Sequence, residues 1–334
     1  MRIDKFPHGT KMKTKIGVIG VGHLGSLHAK MYSQIANCEF IGVFDLDIAK
    51  RNLIASQYNV KSFSSCEEMF SDVDAVSIAS ITSEHFKIAK SALLANINVL
   101  IEKPITTTID EADELIKIAK ENKIIIQVGH IERFNPAVMA LEKYNINPLF
   151  IESHRMAQFN PRGTDVAVVH DLMIHDIDLI LSIVKSPVKK IDANGIAVVS
   201  NSIDIANARL QFENGCVANV TASRISQNKM RKMRFFQTNA YISIDFQQNL
   251  TEIFRLVDEN ESTKSTMMLG QIEEGKVKRN IIFEQPEIKE HNALLVEIQS
   301  FVNCVEKKSK PIVSGEDGLE ALKVAQQILE VIKS

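Results

Sequence analysis

From Lys15 to about Val128, short apolar runs rich in β-branched residues alternate with stretches whose apolar positions recur at helical spacing. The runs are Ile16–Ile19, Phe40–Phe44, Ala75–Ile78, Val99–Ile101 and Ile124–Val128. Between the last two, Asp110–Lys120 carries Ala112, Leu115, Ile116 and Ile118–Ala119 at near-helical intervals. That alternation predicts βαβ units on a parallel sheet, hence an α/β protein with a doubly wound N-terminal domain. After His130 the rhythm changes. A helical piece and a short apolar helix around Asp171–Val184 precede strand-like runs from Val188 to Phe283, joined by turns such as Glu213-Asn214-Gly215. Strands without intervening helices predict a C-terminal α+β domain with an open, mostly antiparallel sheet. The stretch from Gly315 to Lys333 is again an amphipathic helix. The chain thus divides into a flexible extension (1–11), a doubly wound domain (12–128), an α+β domain (129–312) and a C-terminal helix (313–334) expected to pack back on the first domain.

A chain of 334 residues can bury two cores without disulfides or metals. Its 39 basic and 41 acidic residues nearly balance, so nothing in the charge draws it to nucleic acid or an anionic membrane; a small soluble ligand fits better. Cys38, Cys66, Cys216 and Cys304 lie far apart, with no Cys-x-x-Cys pair or zinc-ligand spacing, so no metal is expected and the thiols read as reduced ones in a cytoplasm. No apolar run approaches the roughly 20 residues that span a bilayer, and the N-terminus has no signal-peptide core.

Chemistry enters with Gly20-Val21-Gly22-His23-Leu24-Gly25, directly after the first run. A strand, then G-x-G-x-x-G, then a helix lets backbone approach a pyrophosphate while the helix N-terminus faces it with its positive dipole end. Asp45 ends the second run about 20 residues on, where an acid binds an adenosine ribose. A carboxylate there repels a 2′-phosphate and favours NAD, whereas Arg51 downstream keeps NADP open. His23 occupies a variable position of the loop, and its side chain needs no role.

Two further groups carry titratable residues. Asp171, His175 and Asp178 recur at i, i+4 and i+7 on an otherwise apolar helix, so α-helical winding sets them on one face. An Asp beside a His orients the ring and stabilises its charged form, as a general base requires; the alternative is Asp171 as a helix cap and His175 as a satisfied core residue. Glu102-Lys103-Pro104 follows the run Val99–Ile101 at the carboxyl end of its strand, where ligands bind in open α/β sheets. A lysine there can polarise an oxygen as hydride moves, or it is a solvated loop charge.

Taken together, several segments resemble the Gfo/Idh/MocA family of oxidoreductases: the glycine loop, Ala79-Ser80-Ile81-Thr82-Ser83-Glu84-His85, Glu102-Lys103-Pro104, Gln127–Pro136, Asp171–His175 and the closing Gly315–Leu329 helix. The resemblance implies a Rossmann domain, a C-terminal sheet for substrate binding and oligomer contacts, and a catalytic trio on Lys103, Asp171 and His175. It also implies a cis Lys103–Pro104 peptide. The implied cofactor-binding set is Gly20, Gly22, His23, Leu24, Gly25, Asp45, Ser80, Thr82, His85, Glu102, Lys103 and Arg133. Two positions depart from the pattern: Ile81 stands where the family commonly has proline, and His130 where it often has another aromatic.

The stretch Ile151–Val166 is similar to a segment of the family's nucleotide-sugar 3-dehydrogenases, those acting on UDP-N-acetylglucosamine. On that likeness Arg155, Asn160, Arg162 and Thr164 join His175 as substrate-binding residues, the guanidinium forks suiting a diphosphate; the alternative is an ordinary edge strand and loop. The implied activity is NAD(P)-dependent oxidation of a secondary sugar hydroxyl, with either Lys103 or His175 as base, in a homodimer or homotetramer that hands a keto sugar to an aminotransferase. A free sugar or polyol is the alternative substrate. A dinucleotide-sensing regulator is the non-catalytic alternative, against which the retained Lys103, Asp171 and His175 argue.

Overall fold

The computed structural model describes residues 13–160, 166–259, 267–274 and 277–333, so the expected extension at 1–11 lies outside the described residues. The chain divides into two compact units. The first comprises the described part of Met1–Glu102 together with Glu114–Gln127 and Ile298–Ile312. Its strands are β1 (Thr14–Ile19), β2 (Cys38–Phe44), β3 (Lys61–Ser62), β4 (Ala75–Ile78), β5 (Asn98–Glu102) and β6 (Ile126–Gly129). Helices α1 (His23–Tyr32), α2 (Ile48–Tyr58), α3 (Cys66–Phe70), α4 (Thr82–Leu94) and α5 (Ile109–Asn122) alternate with them.

The sheet runs parallel in the order β3-β2-β1-β4-β5-β6, the doubly wound order, with its switch point between β1 and β4. Central strands of such a sheet are covered on both faces and therefore read as continuous apolar runs; β4 is buried throughout. At the start of α5, Thr108 and Glu111 exchange hydrogen bonds between side chain and backbone N–H, at 3.3 and 3.0 Å, in a reciprocal cap. The sequence reading misses β3 and α3, which at two and five residues are too short to show a period.

The second unit comprises Lys103–Asp113, Val128–Glu297 and Val313–Ser334. It contains a 3-10 turn at Ile131–Phe134, α6 (Pro136–Met139), β7 (Phe150–Met156), a π-helical turn at Val169–Met173 and α7 (Ile174–Val184). The strands β8 (Val188–Ile196), β9 (Ile205–Phe212), β10 (Val217–Ser223), β11 (Met230–Gln237) and β12 (Ala240–Asp245) follow. After them come β13 (Leu250–Asp258), β14 (Met267–Glu274), β15 (Val277–Glu284), α8 (Ala293–Lys307), which belongs to the first unit from Ile298 on, and α9 (Gly315–Lys333).

The nine strands order as β14-β15-β13-β12-β11-β7-β10-β9-β8, with antiparallel ladders except for the parallel pair β7–β10. Strand β7 is therefore central and not the edge strand considered above; its alternating burial aims Ile151, Ser153 and Arg155 at the covered face. That face packs on α7 and α9, where Ile174, Ile177, Ile180, Ala325 and Ile328 join Ile151, Ala218 and Ile242 in one core.

Helix α9 packs on α7 and β8 within the second unit. The segment 298–312 belongs to the first unit, where Phe301 and Val302 are buried and Asn37 hydrogen-bonds Asn303 and Glu306. Amphipathicity says that a helix has a partner, not which one.

Candidate functional site

In the first unit the glycine loop lies at the switch point. Gly20 has φ +81°, and a Cβ there would come within 2.7 Å of the Ser80 backbone nitrogen, where β4 ends. A Cβ on Gly25 would strike the Gly20 carbonyl, so this glycine lets α1 pack against the loop. Gly22 faces open space and caps α1 without any side-chain hydrogen bond, which leaves its N-terminal backbone to a ligand. Asp45 accepts from Val21 N at 2.7 Å and Asp47 N at 2.8 Å, so it braces the loop and still has lone pairs for hydroxyls. Leu24, Leu46 and Ile81, all strongly exposed, stand at the ends of these same elements. A cradle that any side chain would fill, a bare helix N-terminus, an acid and unburied apolar side chains together fit a dinucleotide.

Other members of the expected cofactor set are already engaged. His85 is buried and meets the Ser80 carbonyl at 3.1 Å, which fixes the turn into α4 at Thr82. Glu102 is buried and pairs with His28 at 2.9 Å, so its carboxylate faces the core. In the second unit, Arg133 forks onto the carboxylate of Asp178 at 2.7 and 2.8 Å and reaches Asp317 at 3.5 Å. Glu102 is thus hydrogen-bonded to His28 in the core, and Arg133 is paired with the buried Asp178.

The second unit brings the expected trio together. Lys103, next to a cis peptide with Pro104, donates from Nζ to the Asp171 carbonyl at 2.7 Å and lies 3.7 Å from its carboxylate. His175 stands one helical turn on. Its Nδ1 is enclosed without a hydrogen-bond partner among the described residues, and the His130 ring meets it edge-on at 6.5 Å. Burial, then the charges of Lys103 and Arg155, then His130, hold the His175 imidazole well below its ordinary value. Burial and Lys103 also lower His170.

No hydrogen bond joins Asp171 to His175 among the described residues. The i, i+4 spacing sets Asp171 and His175 on one face only under α winding, and the backbone from Val169 to Met173 is a π turn, which changes the phase. Asp171 serves Lys103 instead, and Asp178 is turned to Arg133.

Arg155 also departs from expectation. It is buried at 6% exposure, forks onto Asp176 at 2.8 and 3.0 Å and reaches Glu132 at 3.3 Å, so its donors are turned to carboxylates and not to a substrate diphosphate. Arg231 shares Glu132. Asn160 is exposed, while Arg162 and Thr164 lie outside the described residues. Sequence reasoning missed Glu132, Asp176 and Arg231. Acids on the apolar helix α7 were the available signal, because a buried carboxylate demands a partner.

Two family models match the chain: an oxidoreductase family with an NAD-binding Rossmann fold over residues 14–130, and the GFO/IDH/MocA C-terminal domain over 148–243. A UDP-N-acetylglucosamine 3-dehydrogenase of Acidithiobacillus ferrooxidans is 34% identical over 96% of this chain and 97% of its own. A solved structure of that enzyme superposes with a TM-score of 0.86, covering 96% of this chain and 98% of the other. A myo-inositol 2-dehydrogenase of Thermotoga maritima is 24% identical over 92% of this chain and 93% of its own.

Proposed function

Because the chain belongs to the GFO/IDH/MocA family of oxidoreductases, we propose that it oxidises a secondary hydroxyl of a nucleotide sugar, C3 of UDP-N-acetylglucosamine, with NAD as cofactor. The observation that carries the substrate is the 34% identity over nearly the full length of both chains. Lys103 held by Asp171 beside a neutral His175 supports the chemistry.

The glycine loop, Asp45 and the start of α1 would hold the cofactor, which supplies the acceptor for the hydride leaving the sugar carbon. His175, kept uncharged by its surroundings, takes the hydroxyl proton. Asp171 fixes the Lys103 ammonium through carbonyl and carboxylate, and that ammonium stabilises the alkoxide charge that develops as the proton departs. The sugar is left as a ketone, a substrate for an aminotransferase.

NAD over NADP is supported by Asp45 and by Arg51. The arginine donates to the Ser62 hydroxyl at 3.1 Å and lies over the Phe44 ring, so it is already engaged. The free cysteines and the lack, among the described residues, of a helix able to cross a membrane fit a soluble cytoplasmic enzyme. An aromatic row on the uncovered sheet face supports a homodimer or homotetramer. Phe150, Phe236, Tyr241, Phe254 and Phe283 succeed one another across five strands with ring centroids 5.1–5.8 Å apart.

The test is NADH fluorescence on mixing protein and NAD with UDP-N-acetylglucosamine, myo-inositol or glucose. Turnover with the nucleotide sugar alone is the expected result. Turnover with the free polyol alone moves the substrate to the inositol type, and none with any of them leaves a sensor.

A further inference from the structure

Four polar side chains form a continuous chain inside the first unit. The Tyr32 hydroxyl meets the Ser77 hydroxyl at 3.0 Å, Ser77 meets His28 Nδ1 at 3.0 Å, and His28 Nε2 meets Glu102 Oε1 at 2.9 Å. The elements are α1, β4 and the last residue of β5. Every contact is satisfied when Tyr32 donates to Ser77, Ser77 donates to Nδ1 and Nε2–H donates to an ionised Glu102. The Ser–His–Glu order has the look of a nucleophile with its base, but Ser77 and His28 are both 0% exposed, so no substrate reaches them.

Burying a carboxylate in a sheet core is costly, and a hydrophobic filling of the same volume is commonly as stable. The position of Glu102 suggests what the arrangement achieves. It sits at the carboxyl end of β5, an inner strand of the parallel sheet, at the end of the strands where dinucleotides lie, and Lys103 is next in the chain. A carboxylate released there would bring negative charge to a site built for a pyrophosphate.

We infer that His28 is a positioning residue of the dinucleotide site: it holds the Glu102 carboxylate in the core and out of the crevice at the strand ends. The inference rests on the dinucleotide reading of the glycine loop. It differs from the simpler view of Glu102 as a cofactor ligand, and from the view of His28 as core filling.

NADH titration by fluorescence, with melting temperature recorded alongside, separates these. His28→Asn keeps the Ser77 side of the imidazole and gives up Glu102. It should weaken NADH binding by about tenfold, the value of a lost hydrogen bond to a charge. His28→Gln reaches Glu102 and gives up Ser77; it should bind within about threefold of the wild type, a change under 1 kcal/mol. Adding Glu102→Gln to His28→Asn removes the stray charge and should restore binding.

Glu102→Gln alone is isosteric and tests the idea even where His28 variants fold poorly: its NADH affinity should match the wild type. A tenfold loss in Glu102→Gln makes Glu102 a cofactor ligand and overturns the inference. Failure of the double variant to regain affinity overturns it too, as does equal loss in His28→Asn and His28→Gln that tracks melting temperature. Absence of NADH binding by the wild type would instead overturn the dinucleotide reading.

Discussion

Arg155 shows how a single residue changes meaning with its surroundings. In the sequence it is a cation in a segment similar to nucleotide-sugar enzymes; in the fold it lies between two buried carboxylates. Arg155→Lys cannot reproduce the fork, and it should lower kcat while leaving KM for the nucleotide sugar unchanged, because Asp176 adjoins His175. A raised KM at constant kcat would return Arg155 to the substrate. Arg155→Met leaves Asp176 and Glu132 without their shared cation and should cost about 3–5 kcal/mol in urea unfolding. His175 carries a pH prediction of its own. A base works above its pKa, and that of His175 is depressed below 6.5, so the acid limb of kcat/KM should lie below pH 6.5 and vanish in His175→Ala with most of the activity. A limb at or above that value would assign the proton to another group. Asp171 and His175 were legible as a pair because their spacing is local, whereas Lys103, 68 residues from Asp171, joined them only through the family resemblance. The partners of Arg155 were not, since they lie 23 and 21 residues away and no periodicity links them.

Among the elements, the π turn that carries Asp171 depends on what precedes it. Arg224 donates to the Val166 carbonyl at 2.6 Å and to Asp204 at 2.8 Å, and Val168 N donates to the Ile203 carbonyl at 2.9 Å. Burial alone would raise the Asp204 carboxyl. Hydrogen bonds from the Ser200 hydroxyl and from the backbone N–H of Val199, Ser200 and Val198 outweigh it and hold that carboxyl well below the ordinary carboxylate range. Its contribution to stability is therefore present above the unfolded value, about 3.9 for an aspartate, and lost as pH falls through the folded one. Asp204→Asn should be less stable than the wild type by a constant margin above about pH 5, narrowing only in acid; acid titration of the melting temperature checks this. The glycine loop was readable because ten consecutive residues contain a strand end, a turn and a helix start. The π winding was not, because one extra residue in a turn leaves the apolar pattern almost untouched.

At the scale of the whole molecule, the order of the nine strands lay beyond sequence reading. β7 enters between β10 and β11 although some 60 residues separate it from its parallel partner, and hydrophobic alternation says nothing of such pairing. The aromatic row is likewise visible only once register aligns Phe150, Phe236, Tyr241, Phe254 and Phe283 across neighbouring strands. If a second copy covers it, Phe236→Glu should shift the protein to a monomer in light scattering, and an unchanged mass would leave that face without an assembly role. The division into units carries a last consequence. The polypeptide passes from one unit to the other at 102, 113, 127, 297 and 312. No single cut in the gene therefore liberates either half whole: a fragment ending at residue 127 leaves bare the surface that Phe301 and Val302 would cover. On the ribosome, the nucleotide-binding half cannot close its own interior until residues 298–312 have been made.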